Sequence, residues 1–154
     1  TGPMMLDLLG PFPVLLLLLG SWAALLPPGA WTQPPTRVQK FIIQHLSAGP
    51  VQCNIAMRAV NNLNQTCKDQ NTFLHDNFPN VTVTCGWPNR NCRNGQNNCH
   101  QSTYAVGKTH CNLTGGRFPN CSYRTTPQHG LYIVACDPRQ RGYPPNCLFP
   151  VHLD

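Results

Sequence analysis

CKDQNTF, residues 67 to 73, stands where two textures of sequence meet. Upstream of it the apolar residues recur at helical spacing. Val38, Phe41, Ile42 and His45 fall at i, i+3, i+4 and i+7 on one helix face. Thr36 is placed to cap that helix behind the Pro34–Pro35 breaker. A second helix is expected from Cys53 to Leu63, with Cys53, Met57 and Val60 inward. From Asn71 onward the chain breaks into β-prone pieces separated by Gly, Pro and Asn turns: NTFLH, THCNLT, CSYRTT, LYIVAC and LFPVHLD. Phe73 reads as core, because its neighbours alternate inward and outward. A third short helix near Phe78 to Cys85 completes the pattern, and helices followed by antiparallel strands define an α+β fold.

Bulk properties narrow the class. A chain of 154 residues with no repeat, linker or second composition regime suits one domain. It carries nine cysteines, no two of them separated by two residues, so paired zinc-ligand spacing is absent and disulfides are expected. Eight cysteines alone still leave 105 pairings. Residues 1–30 read as a secretory signal segment, with an apolar run from Val14 to Leu26 and cleavage expected after Ala30. Residues 31–154 would then be the secreted, extracellular domain, with storage in granules or lysosomes compatible with that route. Every Lys and Arg follows residue 30 while Asp7 precedes it, so cleavage would raise the net charge from +6 to +7. Such a charge points to polyanionic partners: nucleic acid, glycosaminoglycans or bacterial surfaces. Asn-x-Ser/Thr sequons at Asn64, Asn80, Asn112 and Asn120 are candidate glycosylation sites.

Taken singly, the chemistry-bearing residues have bland readings. His45 on an apolar helix face would be a core histidine, Lys68 a surface cation and His152 an exposed terminal histidine. What reverses this is the company they keep. KFIIQH (40–45), CKDQNTF (67–73), CRNGQNNCHQS (92–102) and PVHLD (150–154), in that order, resemble the pancreatic ribonuclease superfamily across nearly the whole mature chain. From Cys53 to Cys136 the cysteines are separated by 13, 17, 6, 6, 11, 9 and 14 residues, similar to that family's framework. CNIAMRAVNN resembles the eosinophil cationic ribonucleases, and NTFLHDNF, NCHQS and CDPRQ resemble the kidney type, both in the host-defence branch.

The resemblance implies a bent antiparallel sheet and four disulfides: Cys53–Cys111, Cys67–Cys121, Cys85–Cys136 and Cys92–Cys99. It further implies a pyrimidine-directed RNA endonuclease needing no metal or cofactor. His45 would be the base, His152 the acid, and Lys68 the cation that meets charge on phosphorus. Imidazoles suit this work because they titrate near neutral pH and can act in either state. Gln44 and the Leu153 main chain would contact phosphate, and Asp154 would orient His152. Thr72 would read the pyrimidine, Gln96 and Asn98 the base on the 3′ side, and Lys40 and Arg93 outlying phosphates.

Three features depart from that pattern. Cys147 is a ninth cysteine, either free, capped or bridging two copies of an otherwise monomeric protein. The sequence stops at Asp154, so a short last strand is expected. His110 stands before Cys111, where the family often has Asp assisting the residue at Thr72. A cationic antimicrobial protein acting on membranes or cell walls, with dispensable nucleolysis, is the competing function.

Overall fold

Thr36 begins the first helix as its composition demands. Its hydroxyl accepts from the Gln39 N–H, and the Gln39 side chain accepts from the Thr36 N–H, a reciprocal capping box. The helix, α1, is Arg37–His45 and buries Val38 and Phe41. The computed structural model describes residues 33–154; the expected signal segment, 1–30, lies outside the described residues. After α1 come α2 (Cys53–Asn62), β1 (Gln70–Leu74), α3 (Phe78–Thr84), β2 (Cys99–Gln101), β3 (Val106–Arg117), β4 (Asn120–Gly130), β5 (Ile133–Asp137) and β6 (Phe149–Leu153). Among these residues no helix is long and apolar enough to cross a membrane.

The antiparallel strands form two three-stranded sheets, ordered β1-β3-β4 and β2-β5-β6. β3 and β4 run well beyond the THCNLT and CSYRTT pieces. Their hairpin tightens at Gly116 (φ +89°), where a Cβ would come within 2.1 Å of the Asn120 carbonyl oxygen. β2 was not anticipated: its three residues, Cys-His-Gln, offer no alternation to read. The ends of α1 and α2 agree with their sequence expectations to within a residue or two, and α3 starts at Phe78 with Asn77 as its cap.

Two apolar clusters meet along β1. Phe73 joins Met57, Val60, Cys111 and Tyr123 between α2 and the first sheet. Leu74 joins Phe41, Val81, Tyr132 and Val134 beneath α1. Leu74 and Phe73 are both buried because α1 covers the far side of the strand at this end, with Leu46 bridged to Leu74. Thr72, one step back along β1, is left half-buried.

Four disulfides tie this frame together: Cys53–Cys111, Cys67–Cys121, Cys85–Cys136 and Cys92–Cys99. Each of the first three spans more than fifty residues and constrains the unfolded chain, for a typical ~2–4 kcal/mol apiece. Cys147 is free and exposed.

Candidate active site

The end of α1 supplies Gln44 and His45. The His45 Nδ1 lies 2.9 Å from the Thr72 carbonyl oxygen. A carbonyl only accepts, so Nδ1 carries the hydrogen and Nε2 keeps its lone pair. Phe41 packs one turn earlier, its ring centroid 5.5 Å from the imidazole. Burial disfavours the charged ring and pulls its pKa from 6.5 down to about 4, against the opposing pull of the Thr72 hydrogen bond. The nearby charges of Lys68 and His152 depress it further. His45 is therefore held neutral, with a fixed tautomer and one basic nitrogen.

Lys68 reaches the site from the stretch between α2 and β1. Its ammonium donates to Gln44 Oε1 (3.1 Å) and Asn71 Oδ1 (2.9 Å), and partial burial lowers its pKa. Its main chain is clamped as well. The Lys68 N–H donates to Asn61 Oδ1, and the Lys68 carbonyl accepts from the Tyr123 hydroxyl. Asn71, buried on β1, also donates from Nδ2 to the Gln44 carbonyl at 2.7 Å, joining helix, strand and cation. Sequence reasoning passed over Asn71, Asn61 and Tyr123. The only available signal was that Asn71 lies inside the 67–73 stretch.

His152 projects from β6, opposite Ala135 of β5, and is exposed. It lines a depression of about 210 Å³ together with Lys40, Gln44 and His45. A second depression, of about 310 Å³, holds Thr72, His110, Arg93, Lys108, Leu153 and Asp154. Thr72 and His110 are directly opposed across β1 and β3, and Thr72 Oγ1 lies 2.7 Å from His110 Nδ1.

Other expected residues sit elsewhere or are otherwise engaged. Asp154 places its carboxylate on the Arg93 N–H (3.2 and 3.3 Å), and no hydrogen bond joins it to His152 among the described residues. The donor it meets is the peptide N–H at the start of the 92–99 loop, not the imidazole it was expected to orient. Gln96 is exposed on that loop, and Asn98 donates to Asp137 Oδ1; neither lines the two depressions. Asn64, Asn80 and Asn120 are exposed, whereas Asn112 is half-buried in β3. One trio has the composition of a metal site, Cys92, Cys99 and Asp154, but the two sulfurs are bonded to each other and offer no thiolate.

Three helices packed with disulfide-linked antiparallel sheets, and two imidazoles and an ammonium gathered at one end of α1, place the chain among small disulfide-bonded ribonucleases. Residues 36–154 match the sequence pattern of the family described as pancreatic ribonuclease. Over 143 residues, 93% of this chain, it is 54% identical to ribonuclease K3 of Sus scrofa, covering 94% of that protein. Over the same span it is 50% identical to ribonuclease K6 of Macaca mulatta and 49% to that of Homo sapiens, covering 95% of each. The chain belongs to the pancreatic ribonuclease family, with the kidney-type ribonucleases K, and RNA is its substrate.

Proposed function

We propose that the protein is a secreted endoribonuclease that cleaves single-stranded RNA on the 3′ side of pyrimidines, without metal, through a 2′,3′-cyclic phosphate. The observation that carries this reading is the fixed tautomer of His45. With Nδ1–H tied to Thr72, the free Nε2 can take the proton of a 2′-hydroxyl as that oxygen attacks phosphorus. His152, lining the same depression, gives its proton to the departing 5′-oxygen. Charge gathering on the non-bridging oxygens meets the Lys68 ammonium, already positioned by Gln44 and Asn71. Hydrolysis of the cyclic product reverses the two histidines' roles. Thr72 reads the pyrimidine in the neighbouring depression, while Lys40 and Arg93 receive flanking phosphates.

Secretion is supported by the 1–30 segment, the disulfides and the sequons, with 31–154 as one domain. The decisive assay is digestion of yeast transfer RNA in EDTA, wild type beside His152→Ala. Cleavage after pyrimidines by wild type alone is expected, and intact RNA with oxidised wild-type protein would overturn the reading.

A role in host defence draws support from charge. Arg58, Arg90, Arg117, Arg124 and Arg139 are exposed outside the two depressions, available to anionic bacterial surfaces or glycosaminoglycans. If such contacts alone kill bacteria, folded His152→Ala protein kills as well as wild type; a harmless variant assigns killing to nucleolysis.

A further inference from the structure

The 2.7 Å contact between Thr72 Oγ1 and His110 Nδ1 holds a single hydrogen, and its owner decides what Thr72 can offer a base. When Nδ1 is bare, the hydroxyl donates to the ring and presents only lone pairs to the depression. When Nδ1 carries hydrogen, the ring donates to Oγ1 and the hydroxyl hydrogen is free to turn toward a ligand. Neutral imidazole permits the first arrangement, whereas imidazolium, with two N–H groups and no lone pair, enforces the second. Uracil and cytosine differ at the same point: N3 of uracil is a donor and N3 of cytosine an acceptor.

We propose that His110 is a specificity-determining residue whose protonation switches the site from preferring uridine to preferring cytidine. The inference rests on Thr72 reading the base. Neutral His110 leaves Thr72 as the acceptor that uracil N3–H needs, and charged His110 makes Thr72 the donor that cytosine N3 needs. Both strands that pair with β3 place uncharged side chains against His110, Thr72 on β1 and Thr126 on β4. Arg93, Lys108 and Asp154 are the charged side chains of the depression. Of these group types, imidazole is the one that ordinarily titrates between about pH 5.5 and 8. His45 and His152 act on both substrates alike, so their titration cancels in a ratio of rates.

The test is kcat/KM for matched uridine and cytidine dinucleotides from about pH 5.5 to 8, on the full oxidised protein. The uridine-to-cytidine ratio is expected to fall about three- to tenfold on acidification, the weight of one such hydrogen bond. His110→Gln, with no charge to gain, should give a flat ratio. Cleavage of both dinucleotides with a flat wild-type ratio, or an equal slope in His110→Gln, overturns this inference alone. Cleavage of neither overturns the ribonuclease reading of the site and this inference with it. A second measurement needs no variant: the His110 ring resonance titrated with 3′-uridylate or 3′-cytidylate bound. By reciprocity the midpoint must lie lower with uridylate bound than with cytidylate bound, and coincident midpoints overturn the proposal.

Discussion

The end of α1 and the end of β6 each bring one histidine to the same depression, and they do it in opposite ways. His45 is packed against Phe41, tied to the Thr72 carbonyl and pushed toward neutrality by burial. His152 stands exposed on a strand, fixed through the ladder to β5. A base must hold its lone pair at working pH, and burial supplies that. The proposed acid must exchange its proton with solvent between turnovers, and the exposed position of His152 allows that. In the proposed mechanism, environment is what would give two chemically identical side chains different roles.

The largest effects should come from removing either imidazole. His45→Ala and His152→Ala are each expected to lower kcat/KM by at least ~10²-fold, the lower end of acid–base contributions. Stability should separate them. His45→Ala leaves the Thr72 carbonyl without its donor, at about 1–3 kcal/mol, while the exposed His152→Ala should stay within ~0.5 kcal/mol. Urea unfolding of the two variants measures this, and equal losses would erase the distinction between the two ends.

Next come the residues that arm the α1 side. Lys68→Ala should cost about 10²–10³-fold in kcat, the weight of a preorganised charge at a developing anion. Asn71→Ala keeps the ammonium but frees it and Gln44 from their shared anchor, so about tenfold in kcat with little change in KM is expected. Steady-state kinetics on transfer RNA separate the two. A KM effect alone for Asn71→Ala would make that residue part of substrate binding instead of a positioning residue.

How much of this could be read in advance differs between the two ends in a way physics explains. α1 was legible because its cap, its breaker and its 3.6-residue spacing are local. The fate of Leu74 was not, since a two-residue period puts it on the face opposite Phe73 and only the covering helix buries it as well. Spacing did not display the Thr72–His110 contact, which depends on the β1–β3 register between residues 38 apart in sequence; only the family resemblance set the two side by side. Asn71 escaped notice for a related reason: its importance lies in joining Gln44 to Lys68 across three segments, which no single stretch displays.

Acid should sharpen the contrast further. With the His45 pKa drawn down to about 4, the acid limb of kcat/KM for the free enzyme belongs nearer pH 4 than 6.5. Lys68→Ala, lacking a charge that holds the pKa down, should move that limb upward. The same shift makes stability depend on pH. Between about 6.5 and 4 the unfolded chain binds a proton that folded His45 refuses, so the contribution is complete above 6.5 and lost as pH falls toward 4. Urea midpoints at several pH values should therefore decline through this window. The decline should be shallower in His45→Gln and remain in His152→Gln, which leaves the buried ring in place. A limb at pH 6 or above would place His45 in a wetter, more exposed setting.

The smallest effect tests whether an ion pair holds the two ends together. Arg37, at the start of α1, places Nη1 2.8 Å from Asp137 Oδ2 at the end of β5, the strand that carries β6. Distance alone suggests a clamp between base and acid. Exposure argues otherwise, for the arginine side chain is 61% exposed and water screens the pair. Asp137 also keeps a second partner, since its other oxygen accepts from the Asn98 side chain. The register of His45 with His152 rests instead on apolar packing, since Phe41 of α1 and Val134 of β5 share one buried cluster and Leu153 of β6 packs against it. Arg37→Ala should thus cost about 0.2–1 kcal/mol in urea unfolding and leave kcat within about twofold. A loss of 3 kcal/mol or more, or a tenfold fall in kcat, would show that charge and not packing aligns the histidines.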